Sequence, residues 1–289
     1  MVEETAVCRT SAIFICQKDK ANSLLRLLLR KRVFLREESD MKKLKAIITD
    51  LDRTLLRTDK SLSPYTVSVL KECKARGIKV MAATARPERS ITEYQKAIGF
   101  DAVTVMNGAK VMVGDKVMTY GIPDGLAEEM LAKVCERKEF LFSVETGEIL
   151  YARDHIPEFE YTLHTKFPKL PTGETAYKIL VSGEGAAEFV KENLTEGLHC
   201  TVANGYLVQI MSQDAKKRKG VQVMLDAFGI APEEVVYFGD DYDDAESMQF
   251  CGIGVAVDNA IPEVKAIADE IAGSNDEDGV ARWIEKYVE

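Results

Sequence analysis

Short apolar runs of strand length alternate with longer segments of helical pattern along most of this chain, from residue 42 onward. Strands that are apolar throughout and alternate with helices form parallel sheets that are covered on both faces. The pattern therefore predicts an α/β fold whose core is a doubly wound parallel sheet. The apolar runs are KAIITDL (45–51), VMAAT (80–84), DAVTVMN (101–107), YKILV (177–181), YLVQIM (206–211), VVYFGD (235–240) and GIGVAV (252–257).

Start and stop signals frame the helical segments between these runs. Ser63 and Pro64 offer an N-cap and a first-turn proline to a segment that Gly77 ends. These residue types favour those positions, because the serine oxygen accepts from a free backbone N–H and proline needs no donor there. The same logic predicts two further helices, at 87–98 and 219–228.

The central part of the chain has a different pattern. The run 109–122 predicts a hairpin with Gly114 and Asp115 at its tip, since such pairs favour tight turns between strands. A helix at 124–138, more strands and another helix follow, which is typical of an α+β module inserted into a parallel core. The predicted domains are a core made of residues 42–111 and 206–289, an inserted α+β cap domain at 112–205, and an N-terminal extension at 1–41.

The extension at 1–41 does not share the pattern of the rest. Its start lacks the positive region of a secretory signal. The segment LLRLLLRKRVFL (24–35) is compatible with a short basic amphipathic helix that contacts a membrane or a partner. The alternative, which we favour, is that Met41 is the functional start, so that a chain beginning there is expected to keep full activity.

Composition and charge exclude several classes of protein. The formal net charge of −9 argues against a nucleic-acid partner, which would favour a basic face. The six cysteines form no CxxC pair, so neither a disulfide framework nor a zinc site is expected, and a reducing cytoplasm is the predicted location. No apolar run approaches the roughly 20 residues that span a bilayer, so no membrane is expected from the core. The sequence does not specify an oligomeric state.

Two groups of acidic residues follow predicted strands. Asp50 and Asp52 end the first strand, and residues two apart in an extended chain point to the same side. Asp240 and Asp244 lie in GDDYDD (239–244), directly after the run VVYF. Since ligands bind outside the carboxyl ends of the strands in an open parallel sheet, we expect these four carboxylates to meet at one edge.

Such a cluster of acids calls for a cation. Two carboxylates about 4 Å apart repel by roughly 1 kcal/mol in water and roughly 4 kcal/mol at an effective dielectric constant of 20. Ligands that are all oxygen, without histidine or cysteine, favour Mg²⁺. By itself an acid pair at a strand end is more often a turn or a helix cap, but capping accounts for one acid of GDDYDD and not for four.

Two smaller features complete the predicted site. Thr84 ends a strand just before Ala85 and Arg86, where a hydroxyl and free backbone N–H groups at a helix start can bind an anion. The basic cluster KKRKG (216–220) precedes a predicted helix. Basic clusters are usually solvated, but one of these lysines could balance an acidic site that binds phosphate.

The order DLDRT, TAR, KG and GDDYDD resembles the haloacid dehalogenase (HAD) superfamily of phosphatases, and most closely its Cof-type members with a class IIB cap. The similarity runs from about residue 42 to the end of the chain. It includes the segments NGA (107–109), VAVDNAIPEVKAIAD (255–269) and NDEDGVA (275–281). Each motif alone is weak, but their order and spacing together are specific.

The resemblance implies a role for each matching residue. Asp50 would be the nucleophile that forms an aspartyl-phosphate, and Asp52 would be the general acid and base. The metal shell would comprise Asp50, the backbone carbonyl of Asp52, Asp240 and, in support, Asp244. The phosphate would contact Thr84, the N–H of Ala85, Lys219 and the region of Asp243.

Three positions depart from the usual pattern of the family. Arg53 stands where Cof-type proteins usually have glycine, Ala85 replaces a glycine, and Asp243 replaces an asparagine. These changes affect the expected substrate and rate more than the reaction class.

The expected function is Mg²⁺-dependent hydrolysis of small phosphorylated metabolites, such as sugar phosphates, flavin mononucleotide or pyridoxal phosphate. The cap is expected to close over the site and to exclude water. Two alternatives stay open. One is a sugar phosphomutase that returns the phosphoryl group to a sugar, and the other is a catalytically weak sensor of phosphorylated ligands.

Overall fold

The structure is a computed structural model that describes residues 44–156, 160–203 and 205–288. The predicted N-terminal extension at 1–41, with its segment 24–35, lies outside the described residues.

The strands give the chain two separate sheets. In chain order they are β1 (Ala46–Thr49), β2 (Lys79–Ala83), β3 (Ala102–Val105), β4 (Lys110–Val113), β5 (Lys116–Thr119), β6 (Leu141–Glu145), β7 (Leu150–Ala152), β8 (Thr162–Leu163), β9 (Lys178–Ser182), β10 (Leu198–Ala203), β11 (Leu207–Ser212), β12 (Val235–Gly239), β13 (Ile253–Ala256) and β14 (Glu270–Ile271).

The larger sheet has the strand order β14-β13-β12-β1-β2-β3-β4-β5. Its central strands β13, β12, β1, β2 and β3 pair in parallel, and β4 and β5 add an antiparallel edge. Every residue of β1 and β12 is buried, as expected for strands covered on both faces. The predicted α/β fold with a parallel core sheet is confirmed.

The helices connect these strands at the predicted places. They are α1 (Pro64–Ala75), α2 (Thr92–Ile98), α3 (Asp124–Cys135), α4 (Ala186–Asn193), α5 (Lys217–Phe228), α6 (Ala245–Phe250), α7 (Pro262–Ile267) and α8 (Gly279–Val288). Ser63 caps α1 as predicted, since its Oγ accepts from the Thr66 backbone N–H at 3.0 Å. In contrast, α5 begins at Lys217, two residues before the predicted start at 219, and this shift decides which lysine reaches the site.

The smaller sheet forms the inserted cap, with the strand order β10-β11-β9-β6-β7-β8. Both predicted cap boundaries need correction. The boundary at 112 divides the β4–β5 hairpin, but the whole hairpin belongs to the larger sheet, since β4 pairs with β3 and β5 pairs with β4. The strand β11, expected in the core from residue 206, pairs with β9 and β10 of the cap. Strand pairing and core packing across the chain set these limits, and local pattern does not encode them.

Two hydrophobic clusters stabilise the two sheets, and Met211 of the cap strand β11 belongs to the main cluster. The main cluster includes Ile47, Ile48 and Phe238 from the central strands, and the cap cluster includes Phe140, Phe142 and Ile210. Within the described ranges, no helix combines the length and apolar character that a transmembrane span requires.

Candidate active site

Three aspartates meet at the carboxyl edge of the larger sheet. Asp50 follows β1 and Asp240 follows β12, and these two strands are parallel neighbours. The Asp50 backbone N–H donates to the Phe238 carbonyl at 2.9 Å, which continues the pairing to the strand ends. Together with Asp244, they bring one carboxylate oxygen each within 4.8 Å of one another, and all three residues are buried.

The electrostatics of this cluster favour a bound cation. Burial raises the pKa of Asp50 well above its usual value, and repulsion from the neighbouring aspartates adds to this although Lys217 opposes it. Burial and then repulsion from Asp244 raise the pKa of Asp240 to about 7. A buried set of carboxylate oxygens without histidine or cysteine has the chemistry that Mg²⁺ prefers. The residues present therefore fit a magnesium ion.

Lys217 is the lysine that the structure places in the cluster. Its Nζ lies 2.9 Å from Asp50 Oδ1, 2.8 Å from Asp244 Oδ1 and 3.1 Å from Asp243 Oδ2. The residue is 4% exposed. Burial lowers its pKa, but attraction to the three aspartates outweighs this and holds the pKa well above the usual value. Lys217 is therefore a permanent positive charge at the site.

The prediction of Lys219 at this position is wrong. Lys219 Nζ instead lies 2.7 Å from Asp214 Oδ1 and 4.4 Å from the centre of the Tyr120 ring, and its side chain is partly exposed. Since α5 begins at Lys217, this residue shares a helix face with the buried Val221 and Met224, four and seven positions later. That spacing was the sequence signal for the correct lysine.

Gly108 allows the start of α5 to approach the site. A Cβ on Gly108 would lie 2.1 Å from the Lys216 carbonyl oxygen, much closer than atoms can pack. Any side chain at this position would push the first turn of α5 away from β3, and Lys217 would move with it.

Asp244 is held by four hydrogen bonds. Its Oδ1 accepts from Lys217 at 2.8 Å and from the Tyr237 hydroxyl at 2.6 Å. Its Oδ2 accepts from the backbone N–H groups of Asp240 at 3.1 Å and Asp241 at 3.3 Å. The sequence reading treated Tyr237 only as part of an apolar strand. A tyrosine in a fully buried strand requires a partner for its hydroxyl, which was the available signal.

The Asp52 carboxylate is not part of the cluster. It accepts from Arg86 Nε at 2.6 Å and Nη2 at 2.8 Å, and from Lys60 Nζ at 2.8 Å. Burial raises the pKa of Asp52, but the hydrogen bonds from Arg86 and then Lys60 outweigh it and lower the pKa to about 2. Because β1 ends at Thr49 and the chain turns immediately afterwards, the two-residue period of a strand does not extend to Asp52. Its place beside Asp50 therefore stays a prediction.

Arg53 adopts a left-handed backbone conformation in that turn, with φ of 61°. Its Nε lies 3.9 Å from Asp240 Oδ2, and its backbone carbonyl accepts from Asn259 Nδ2 at 2.7 Å. The unusual arginine is therefore at the border of the carboxylate cluster.

Thr84 directly follows β2, which ends at Ala83, and its backbone and hydroxyl are hydrogen-bonded. Its backbone N–H donates to the Thr104 carbonyl at 2.9 Å, and its carbonyl accepts from the Asn107 N–H at 3.0 Å. The Thr84 hydroxyl accepts from the Arg86 N–H at 3.2 Å. Asn107 and the preceding Met106 both have positive φ, 55° and 51°, a conformation that costs most residues about 1–2 kcal/mol.

The cap contributes two buried charged residues that contact the core. Glu145 on β6 accepts from both terminal nitrogens of Arg89 at 2.7 Å. Lys178 on β9 donates to the Ala85 carbonyl, to Asn107 Oδ1 and to Gln209 Oε1 at 3.0, 3.2 and 2.6 Å. Glu145 and Lys178 are direct neighbours in the β6–β9 pairing. The cap sequence contains no recognisable motif, so the sequence predicts neither residue.

Fold and site together define an α/β core with an inserted cap and a buried carboxylate cluster that fits a cation. The profile of the haloacid dehalogenase-like hydrolases matches residues 47–284. A protein of Haemophilus influenzae is 28% identical over 258 residues, which cover 84% of this chain and 97% of that protein. The 5-amino-6-(5-phospho-D-ribitylamino)uracil phosphatase of Bacillus subtilis is 26% identical over 262 residues, covering 83% and 96%.

Solved structures show the same fold. A subclass IIB sugar phosphatase of this superfamily superimposes with a TM-score of 0.73 at 24% identity, covering 84% of this chain and 99% of that one. The chain belongs to the haloacid dehalogenase-like hydrolase family. The predicted recognition, a Cof-type HAD hydrolase, and the predicted enzyme class, a phosphatase, are confirmed.

Proposed function

We propose that the protein is a Mg²⁺-dependent phosphatase of small phosphorylated metabolites that works through an aspartyl-phosphate on Asp50. The observation that carries this proposal is the meeting of Asp50, Asp240 and Asp244 with the Lys217 ammonium group in one buried cluster. A nucleophilic carboxylate, oxygen ligands for a cation and a permanent positive charge are the parts that phosphoryl transfer to an aspartate requires.

Each residue of the cluster has a separate task in this proposal. Asp50 and Asp240 would hold Mg²⁺ together with the backbone carbonyl of Asp52. When bound, the ion would neutralise charge on the phosphoryl oxygens and stabilise the charge that develops there. Asp244 would fix Lys217, since four hydrogen bonds already use its two oxygens.

The reaction takes two displacements at phosphorus. In the first, an Asp50 carboxylate oxygen forms a bond to phosphorus while the bond to the ester oxygen breaks, and the departing alkoxide takes a proton from Asp52. In the second, water attacks the phosphorus and gives its proton back to Asp52, so that inorganic phosphate leaves and Asp50 is regenerated. Thr84, the Ala85 N–H group and Lys217 would hold the phosphoryl oxygens, and Asp243, 3.1 Å from Lys217, would adjust that charge.

Asp52 has to change partners before it can act as the acid. With its pKa at about 2, the carboxyl group is ionised at neutral pH and cannot protonate a leaving group while Arg86 and Lys60 hold it. An incoming phosphate offers those two cations another anionic partner. We therefore place the release of Asp52 at substrate binding, where a phosphate ester that binds as its monoanion supplies the proton that Asp52 then passes to the departing alkoxide.

The proposed substrates are sugar phosphates or cofactor phosphates. The cap contacts the loop after β2, which favours a leaving group small enough to fit between cap and core. Similarity to a phosphatase of a phosphoribityl compound and to a sugar phosphatase supports the same class.

The test is a screen for released inorganic phosphate over phosphorylated metabolites, with Mg²⁺ or with a chelator, for the wild type and Asp50→Asn. Release should require the metal, and the Asp50→Asn enzyme should lose at least about 10⁴-fold in turnover, as is usual for a nucleophile. Asp214→Asn, at the surface ion pair with Lys219, is the matched control and should keep its activity.

Two results would replace the proposal by an alternative. A wild type that binds phosphate esters and never hydrolyses them would be a sensor. A bisphosphorylated sugar that accumulates during turnover would identify a phosphomutase.

A further inference from the structure

Lys178 is a buried residue of the cap whose side chain contacts the core next to Thr84. It begins β9 in the middle of the cap sheet and is 4% exposed. A buried lysine is rare, because the ammonium group loses its hydration and needs partners that replace it. The contacts of Lys178 should therefore show what its burial contributes.

All three oxygen atoms that accept from Lys178 Nζ are uncharged. Two belong to the core, the Ala85 carbonyl and Asn107 Oδ1, and the third is Gln209 Oε1 of the cap strand β11. Burial lowers the pKa of Lys178 to about 7, and the charges that act on it are those of Asp243, Lys217 and Glu145. The arrangement uses a costly buried amine where an apolar residue could fill the space.

One peptide plane connects Lys178 to Thr84. A peptide group is planar, so its carbonyl and the N–H of the next residue point in opposite directions and turn together. Lys178 holds the Ala85 carbonyl, and the N–H of the same peptide group, that of Arg86, donates to the Thr84 hydroxyl. Fixing the Ala85 carbonyl therefore fixes the donor that orients the threonine.

The second core contact acts on the same residue. Asn107 accepts from Lys178 through its side chain and donates its backbone N–H to the Thr84 carbonyl at 3.0 Å. Asn107 lies in the left-handed region with φ of 55°, a conformation that requires support from its surroundings. Lys178 supplies that support from the cap, so it acts on Thr84 from both sides.

We propose that Lys178 is a positioning residue through which docking of the cap on the core sets the geometry of the Thr84–Arg86 phosphate loop. With the cap docked, the loop is preorganised to bind the phosphate group. With the cap displaced, the Ala85 carbonyl and Asn107 lose a common donor, and the loop binds phosphate weakly. This inference rests on the proposed function only in assigning phosphate to the Thr84 loop.

The test compares Lys178→Met with Lys133→Met in the full chain. Lys133 is a matched control, because its Nζ also has three acceptors, Glu129 Oε1, the Asn193 carbonyl and Thr195 Oγ1, all within the cap. Inorganic phosphate binding is measured by calorimetry with Mg²⁺ at constant pH. Lys178→Met should weaken it about tenfold, the size expected for loss of an ionic hydrogen bond that orders a loop. Lys133→Met should leave it unchanged.

Steady-state kinetics and hydrogen exchange give readouts that a structural role alone would not change. In Lys178→Met, KM should rise with a smaller change in kcat, and amide exchange in 84–91 should accelerate while β1 and β12 keep their protection. Lys178→Gln, which still donates, should restore part of the phosphate affinity and serves if the methionine variant does not fold. Unchanged phosphate affinity in folded Lys178→Met would overturn the proposal. Where the methionine variant does not fold, the shorter amide of Lys178→Gln, which cannot hold all three acceptors, should still weaken phosphate binding severalfold, and wild-type affinity would overturn the proposal.

Hydrogen exchange of the wild type, with and without phosphate, gives a further test. Phosphate should slow exchange both in 84–91 and in β9, because the two segments are coupled. Protection confined to 84–91 would refute the coupling. Binding is measured independently of turnover, so a protein that binds phosphate but hydrolyses no ester would contradict the proposed function and leave this inference standing.

Discussion

The carboxyl edge of the larger sheet and the core-facing side of the cap sheet both bury charged groups, but with opposite balance. At the edge, Asp50, Asp240 and Asp244 share one buried lysine, and the pKa values of all three are raised. In the cap, Glu145 is matched by Arg89, and Lys178 has three uncharged acceptors. An excess of negative charge favours an external cation, whereas charged groups that already have their partners stabilise a contact between cap and core.

The largest effect is expected when Lys217, at the carboxyl edge of the larger sheet, is compared with the nearby Lys219. Lys217→Met should lower kcat/KM by about 10³-fold, since a preorganised charge at the transferring group is lost, whereas Lys219→Met should stay near the wild-type value. Phosphate release measures both. If the Lys219 variant lost more activity than the Lys217 variant, the assignment of the edge would be wrong.

Urea unfolding of the Lys217 and Lys219 variants shows whether an activity loss comes from the missing charge or from unfolding of the protein. Removing one partner of a buried ion pair costs about 3–5 kcal/mol, so Lys217→Met should unfold at lower urea concentration. Mg²⁺ should recover part of that loss, because it replaces the missing positive charge at the carboxylates. The Lys219 variant should show neither effect.

The second prediction concerns metal and pH at the edge. Because the pKa of Asp240 is raised to about 7, Mg²⁺ must displace a proton in acid solution, and its affinity should fall as pH drops below 7, by up to about tenfold per unit. Calorimetry at pH 6 and pH 8 measures this. Equal affinity at both values would mean that Asp240 does not bind the ion.

Without metal, the pH dependence of stability has the opposite sign to that of Mg²⁺ affinity. The folded protein holds a proton on Asp240 between pH 3.8 and about 7 that the unfolded chain has released, so this contribution is present in acid and is lost as pH rises through 7. In chelator, the free energy of unfolding should therefore fall from pH 5 to pH 8. Asp240→Asn should flatten this slope, and a slope that persists unchanged would have another origin.

The third prediction turns to the cap. A double-mutant cycle with Arg89→Met and Glu145→Gln should give a coupling free energy of about 1–2 kcal/mol in urea unfolding. The reason is that Arg89 and Glu145 form a bidentate ion pair in which one partner is buried. The exposed pair Lys96–Glu93 is the control and should show no measurable coupling. Equal coupling in both pairs would mean that the cap contact is no stronger than a surface one.

The smallest expected effect concerns Arg53. Arg53→Gly should raise stability by up to about 1 kcal/mol, because glycine adopts the positive φ at this position without strain. Removing a cation 3.9 Å from Asp240 should change KM for phosphate esters severalfold and leave kcat similar. A loss of turnover comparable to that of Lys217→Met would place Arg53 in the reaction itself.

The parts of the site that the sequence predicts correctly are those that depend on the order of the strands. Asp50 and Asp240 could be placed together because parallel neighbours end at one edge. The composition of the basic cluster does not distinguish Lys217 from Lys219. The two lysines lie two positions apart on α5 and therefore on different faces of the helix, so the start of the helix decides which one reaches the site. Asp52 was assigned to the cluster from strand periodicity, and the turn at residues 51–55 removed the basis for that inference.

By itself, the sequence determined the parallel core, the two acidic strand ends and the family, because these depend on periodicity and on the order of motifs along the chain. Only the tertiary structure decided which groups complete the site. The partners of Asp52, the hydroxyl of Tyr237 behind Asp244 and the reach of Lys178 from cap to core all join distant segments. Such contacts depend on how two surfaces pack, and no local pattern in either segment encodes the other.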